Sequence, residues 1–431
     1  MLTPFTAHAR LSPMGRSRKG SFAVTIFPVI LSVVTFAGFG CYLLLYSNGS
    51  DRPYGTRSFI GKQNDLDSND NVDVRGLNIK VTYPSLLADP ANGAYPLYNS
   101  LLDIITRWNP DNPDPPAEFQ ETLQHFNFSN PDEMIMAANF RDAELPFKIY
   151  DVPEFVSAAL KWDDHYLTSQ FHNAVQSRRV EKSRNNHFMY WNGNMRGQMR
   201  DYWVPPTEFV MSMQFESWLQ IAKRADEAKV TKESVHYYFM TNAPPSASGE
   251  EESFISRDLP SLSDARNNFF VTNTAANKGI QCRFGMRGII AEAHYDSGRN
   301  MVAMIKGAKR YILNPPRECK KLGLITDKEH PSYRHSVIDW SDVSEATSRG
   351  FASVDAVDTI LQAGEVLYIP SYWFHYIVSL KYSIQCNSRS GSPPHKEGQQ
   401  EIEECLKDKL SLERYHQLLS NTVYVNFAEL A

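Results

Sequence analysis

At residues 293–301 the chain reads AHYDSGRNM, which places His294 and Asp296 on alternate positions. Side chains of a β-strand alternate between faces, so residues two apart point the same way. The spacing therefore presents an imidazole and a carboxylate to one point, where a divalent metal could sit. A polar strand face would look the same in isolation. The next histidine in a strand-like context is His375, within GEVLYIPSYWFHYIVSL. Two imidazoles and one carboxylate on one face of an octahedron leave three positions open, the ligand set of non-heme iron(II) oxygenases. A zinc hydrolase could use the same ligand types. Taken alone, His375 between Trp373, Phe374 and Tyr376 also reads as a packed core histidine.

These ligands need rigid strands to hold them. Short β-like runs follow one another through FGMRGIIAEAHYD, NMVAMIKGAKRYILNPP, DTILQAGEVLYIPSYWFHYIVSL and KYSIQCNSRS. Serial strands separated by turns predict an antiparallel barrel rather than a parallel sheet. In MIKGAKRYI, two β-like arms flank Gly307-Ala308 in the manner of a hairpin turn. AGEVLYIP enters through a glycine and ends at Pro370. Upstream, LPFKIYDV, HFMYWNG and SVHYYFMT read as strands. VPEFVSAALKWDDHYLTSQF and PPTEFVMSMQFESWLQIAKRADEA read as helices whose apolar stripes pack on the sheet. The polar stretch NAPPSASGEEESFISRDLPSLSD reads as a long loop, either a lid or an inert insertion.

The chain has 431 residues, of which 42% are hydrophobic, enough for a sizeable core. A net charge of −5 gives no electrostatic argument for a nucleic-acid surface. The cysteines at 41, 282, 319, 386 and 405 form no Cys-x-x-Cys pair and do not by themselves indicate a redox compartment. From Ser21 to Tyr46 no residue is charged. As a helix, a run of that length crosses a hydrocarbon core of about 30 Å. The expected layout is a basic cytosolic tail at 1–20, a transmembrane anchor at 21–46 and a flexible stalk at 47–76. A helical N-terminal extension at 77–144, a catalytic domain at 145–390 and a C-terminal helical segment at 391–431 complete it. Arg10, Arg16, Arg18 and Lys19 place the N-terminus in the cytosol. The bulk would then lie in the lumen of the endoplasmic reticulum or Golgi, and the sequons at Asn48 and Asn127 are compatible with that. In the C-terminal segment Ile402, Cys405, Leu406, Leu410 and Leu418 share one helical face, which could pack on its own domain or on a second copy as a homodimer.

The blocks HYD, GRNMVAMIKGAKRYILNPP, GEVLYIPSYWFHYI and SIQCN, in that order, resemble the JmjC/cupin-like family of 2-oxoglutarate oxygenases. The nearer likeness is to the asparaginyl hydroxylase type that acts on hypoxia-inducible factor. The resemblance covers roughly residues 145–390. It implies a mainly β fold with flanking helices, built on a double-stranded β-helix or jelly-roll core. It implies that His294, Asp296 and His375 bind Fe(II), and that Lys309 pairs with the far carboxylate of 2-oxoglutarate. Arg310 would point to the opposite face. Asn300 and Asn387 would line the pocket, and Tyr238 would offer its hydroxyl to the same carboxylate, with Tyr237 as the alternative. Ascorbate would serve as reductant. The implied reaction is hydroxylation of a C–H bond on a protein or peptide side chain.

One position departs from that pattern. The relative carries a threonine hydroxyl three residues before the first ligand, where this chain has Ala291. A hydrogen bond to a charged group contributes about 1.5–3 kcal/mol, so cosubstrate binding would weaken unless another group substitutes. Two alternatives stay open. One is a cupin-like binding module without catalysis, and the other is a JmjC-type lysine demethylase, which a membrane anchor and the lack of a basic segment disfavour.

Overall fold

Aromatic and β-branched runs broken by glycine and proline fold into two main sheets, beside a parallel pair of β1 and β3, in the computed structural model. It describes residues 77–407, apart from 78, 91–94, 173–177, 193–204, 245–252 and 264–265. In chain order the elements begin with β1 (Lys80–Thr82), β2 (Asn99–Ser100), α1 (Leu101–Arg107), β3 (Glu118–Gln120), β4 (His125–Asn127), α2 (Pro131–Asp142), β5 (Phe147–Tyr150), α3 (Pro153–Lys161) and α4 (Asp164–His172). There follow β6 (Arg178–Ser183), β7 (His187–Phe188), β8 (Glu208–Phe209), α5 (Phe215–Ala228), β9 (His236–Ala243), α6 (Phe254–Asp258) and α7 (Pro260–Ser263). The last group is β10 (Asn277–Gly285), β11 (Ile290–Tyr295), β12 (Asn300–Lys306), β13 (Ala308–Asn314), α8 (Val343–Ser348), β14 (Asp355–Gln362), β15 (Val366–Ile369), β16 (Phe374–Ser379), β17 (Ser383–Ser390) and α9 (Glu397–Cys405).

The larger sheet has the order β4-β5-β15-β12-β17-β10-β9-β6-β8, and the smaller β2-β14-β13-β16-β11-β7. Strands β10, β12, β15 and β17 lie in the larger sheet and β11, β13, β14 and β16 in the smaller. The chain thus winds back and forth between two sheets, the path of a jelly-roll, as expected. This path corrects the hairpin reading at Gly307, because β12 and β13 belong to different sheets. Gly307 turns a corner with φ +70°, and a Cβ there would lie 2.2 Å from the Tyr382 carbonyl oxygen. Glycine adopts that conformation without strain, and any side chain would collide with that carbonyl.

Each strand of the core presents two kinds of face. On β13, Tyr311 and Leu313 pack in the core that fills the space between the sheets, whereas Ala308 and Ile312 join a second core on the outer side of the smaller sheet. Leu101, Ile104 and Ile105 of α1 cover that outer side together with Trp340 and Phe351. Arg310 points there too, as expected, and makes a buried two-point bond to Asp358 at 2.9 and 2.7 Å. On the larger sheet, Phe215 and Trp218 of α5 pack with Phe239 and Phe284.

Three expectations need amending. The stretch read as a long loop, a lid or an inert insertion, contains α6 and α7, with Phe254, Ile255, Leu259 and Leu262 fully or almost fully buried. Phe254 packs on Phe171 at 5.5 Å, so apolar anchors override the polar composition and fix this part of the loop. The extension at 77–144 holds α1 and α2 but also β1–β4, of which β2 and β4 join the two main sheets. These strands have two or three residues each, too few to show an alternating pattern. In the C-terminal segment, Ile402 and Cys405 of α9 bury against their own chain, which leaves the dimer reading without support from these residues. Leu410 and Leu418 lie outside the described residues, as do the expected tail, anchor and stalk at 1–76. No helix among the described residues is long and apolar enough to cross a membrane.

Four of the cysteines pair. Cys282 of β10 is bonded to Cys386 of β17, directly opposite it in the strand register, and Cys319 is bonded to Cys405 of α9.

Candidate metal centre

His294 and His375 face each other as cross-strand partners on β11 and β16, which explains how residues far apart in sequence share one point. The β11 register shifts between Ala291 and His294, and this bulge turns both toward the cavity despite their odd spacing. Asp296 follows just past the end of β11. One donor atom from each of His294, Asp296 and His375 lies within 4.8 Å of the others. The Nδ1 of His294 is 2.7 Å from the Glu292 carbonyl oxygen and that of His375 is 3.1 Å from the Trp373 carbonyl oxygen. With Nδ1–H donating to a backbone carbonyl, Nε2 is left as the lone-pair nitrogen, as a metal ligand requires.

The charge states suit the same purpose. Burial pushes His294 well below the ordinary histidine range, and the adjacent His375 and His335 push it further. Burial also lowers His375. Both imidazoles are therefore neutral and able to coordinate near neutral pH. Burial acts to raise the Asp296 carboxyl, but Arg389, His294, His375 and Arg334 overcome it and hold the group below the usual carboxylate range. Arg389 Nη1 donates to Asp296 Oδ1 at 2.9 Å and Arg334 Nη1 to the same oxygen at 3.4 Å. The other oxygen, Oδ2, is the one turned toward His375 Nε2, at 3.9 Å. A divalent iron fits this set of two neutral imidazoles and one oriented carboxylate.

The Arg389 contact yields a test. In Arg389→Leu the carboxylate loses its largest ionising neighbour and the bond that orients it. Partners of this kind typically contribute 10- to 100-fold in metal affinity. Mn(II) titration should show a loss of about that size, growing as pH is lowered from 7.5 to 6, because burial is then opposed only by the weaker Arg334 and the neighbouring imidazoles.

The donors open into a cavity of about 460 Å³. Its walls include Asn300, Asn387 and Tyr238, so those expected residues meet the triad in one space. Asn387 donates to the Asn300 side-chain oxygen at 2.9 Å. Tyr238 is buried with its hydroxyl 3.2 Å from the Lys309 ammonium, which chooses it over Tyr237 on the opposite face of β9. Lys309 is fully buried and reaches the cavity through Tyr238. Ala291 lines the wall and offers only a methyl group.

Burial, reinforced by Arg283, lowers Lys309 from 10.5 to about 7. Between those values the unfolded chain holds the proton and the folded chain does not, so stability without cosubstrate rises with pH over that window. A carboxylate bound at Lys309 reverses the shift. Binding of an anionic cosubstrate at pH 8 is expected to take up close to one proton, and affinity should fall as pH rises from 7 to 9. Calorimetry in buffers of different ionisation enthalpy measures that uptake, which Lys309→Met should abolish.

Sequence reasoning missed Arg389, Arg334, His335 and Arg283, all on the cavity wall. The signal for two of them was present. Gln385, Asn387 and Arg389 alternate along β17, as do Gln281 and Arg283 along β10, so the face that carries Asn387 carries the others.

The model of the cupin-like domain family matches residues 133–388, more than half of the chain. The chain belongs to this family. Among curated relatives, JmjC domain-containing protein D of Dictyostelium discoideum is 30% identical over 26% of this chain and 25% of its own length. The tRNA wybutosine-synthesizing protein 5 of Danio rerio is 29% identical over 24% of this chain and 30% of its own. Lysine-specific demethylase JMJ30 of Arabidopsis thaliana is 29% identical over 25% of this chain and 24% of its own. The chain thus spans about a quarter to a third of the relatives it matches. They place this cupin-like domain among JmjC proteins, and the narrower likeness to the asparaginyl hydroxylase type is not carried by these matches.

Proposed function

We propose that this chain is an Fe(II)- and 2-oxoglutarate-dependent dioxygenase that hydroxylates a C–H bond on a protein or peptide side chain. The observation that supports it most is the convergence of His294, Asp296 and His375 donor atoms within 4.8 Å at the mouth of two facing sheets. Iron and 2-oxoglutarate bound there would supply the chemistry: with dioxygen, decarboxylation to succinate and carbon dioxide is coupled to oxidation of the substrate carbon. The chain's own residues position the parts. Two backbone carbonyls fix the imidazole tautomers, and Arg389 and Arg334 fix the carboxylate. Lys309 and Tyr238 would hold the far carboxylate of the cosubstrate. Val302, Ile369 and Ile377 line the same cavity and help to exclude water.

Two relatives are named for tRNA wybutosine synthesis and for lysine demethylation. A net charge of −5 argues for a protein substrate over a nucleic acid here. A search for peptides that gain 16 Da in wild-type cells and lose that mass on knockout tests the reading. Such peptides are expected, and their absence together with a demethylated lysine in the same comparison would favour the demethylase.

We also propose that the domain works in the lumen of the secretory pathway. Two disulfides among the described residues suit an oxidising compartment, and the uncharged stretch 21–46 could anchor the chain. Protease treatment of intact microsomes should spare the domain, and digestion without detergent would refute this location.

A further inference from the structure

The inner face of the larger sheet is built in cross-strand rows. Arg389 pairs with Asn300, Gln281 with Asn387, and Arg283 with Gln385. The first row touches the candidate metal centre, since Arg389 bonds Asp296. Arg283 lies two rows deeper, about 13 Å along the strand. On the smaller sheet Lys309 sits at the same depth: its partner on β16 is Ser379, four residues from His375. Beyond this level the two sheets close together, because a Cβ on Gly285 would lie 2.3 Å from Ser379 Oγ. Arg283 and Lys309 therefore face each other near the closed end of the cavity.

Among the described residues four arginines line that cavity, and three of them face a carboxylate. Arg179 pairs with Glu181, and Arg334 and Arg389 share Asp296. Among the described residues Arg283 makes hydrogen bonds to the Cys282 carbonyl oxygen at 3.3 Å and the Gln281 side-chain oxygen at 3.4 Å and no ion pair. It stands close enough to bear on the charge of both Lys309 and Tyr238. Arg283 and the Lys309 amine thus meet across the floor with no ion pair to a carboxylate between them among the described residues, although Glu181 bears on Arg283 from beyond ion-pair distance, and a guanidinium so enclosed gains most from an incoming anion. The depth also selects the ligand. A peptide side chain enters from the open end, whereas a small dianion held at the metal can extend to the floor.

We infer that Arg283 anchors the far carboxylate of the dicarboxylate cosubstrate, beside Lys309 and Tyr238, and supplies the contact that Ala291 does not. This assignment rests on the oxygenase reading above. It makes Arg283 a determinant of cosubstrate choice, separating a keto acid with a second carboxylate from one without.

The test is calorimetric titration of the full chain loaded with Mn(II), which supports no turnover. 2-Oxoglutarate is compared with 2-oxovalerate, which lacks the far carboxylate. In Arg283→Leu, 2-oxoglutarate is expected to bind about 10- to 100-fold more weakly, while affinities for 2-oxovalerate and Mn(II) stay within threefold of wild type. Arg283→Gln covers a failure of the leucine variant to fold and should show the same selective loss; Arg283→Lys should retain most of the preference. Unchanged 2-oxoglutarate affinity in the leucine or glutamine variant, or equal loss of both keto acids, would overturn the assignment. If wild type itself bound no 2-oxoglutarate, the oxygenase reading would fall first and this one with it.

Discussion

His375→Ala should lose tight binding of Fe(II) or Mn(II) while keeping its fold. Four-ligand structural zinc sites gain about 10–16 kcal/mol in total, so one ligand of such a set is worth about 2.5–4 kcal/mol, or roughly 10²- to 10³-fold in affinity. His375 occupies the middle of the smaller sheet and is the cross-strand partner of His294. Alanine is compatible with that position, and the main structural loss is the donor to the Trp373 carbonyl oxygen, about 1 kcal/mol. Thermal unfolding separates the two effects. A metal at 100 times its dissociation constant should stabilise wild type by about 2.7 kcal/mol. The variant should melt close to metal-free wild type and gain at most about 0.4 kcal/mol on adding metal at the same concentration. An equal metal-induced shift in both would remove His375 from the ligand set.

The second large effect concerns the disulfide beside the cavity. Cys282 and Cys386 are separated by 104 residues, and closing a loop of that order contributes up to about 4.7 kcal/mol by restricting the unfolded chain. The Cys282→Ala/Cys386→Ala double variant is expected to lose about 2–5 kcal/mol in urea denaturation. A reductant should bring wild type to or below the variant's midpoint, since it also opens Cys319–Cys405, and should shift the variant less. The bond joins β10 and β17, the strands that carry Arg283, Gln281, Asn387 and Arg389, so cosubstrate affinity should fall along with stability. A midpoint in the double variant equal to wild type would contradict this account of the wall.

The site was more legible in the sequence than the path of the chain around it. His294 and Asp296 follow the alternation of a strand, Asn300 and Asn387 are implied by the family resemblance, and the structure places all of them in one cavity. Arg389 and Arg283 obey the same alternation; they were passed over because charged residues on a strand ordinarily read as its solvent face. The turn at Gly307 misled for a different reason. A hairpin and a corner between sheets ask the same of local sequence, a glycine at positive φ, and only the pairing of β12 and β13 with other strands separates them. The disulfides were illegible because Cys282 meets Cys386 only through the register of β10 on β17. In the stretch that reads as a long polar loop, Phe254 and Leu262 carry the packing among polar neighbours, and an average over the segment conceals them.

Succinate formation from 2-oxoglutarate by the purified full chain, with Fe(II), ascorbate and dioxygen, tests the central claim most directly when wild type and His294→Ala are compared. The account predicts metal-dependent succinate from wild type and at least about a 10²-fold lower rate from the variant, which retains its far-UV circular dichroism. Equal background rates in both, with 2-oxoglutarate and metal nonetheless bound by wild type, would contradict it and leave a cupin-like module that binds without catalysing.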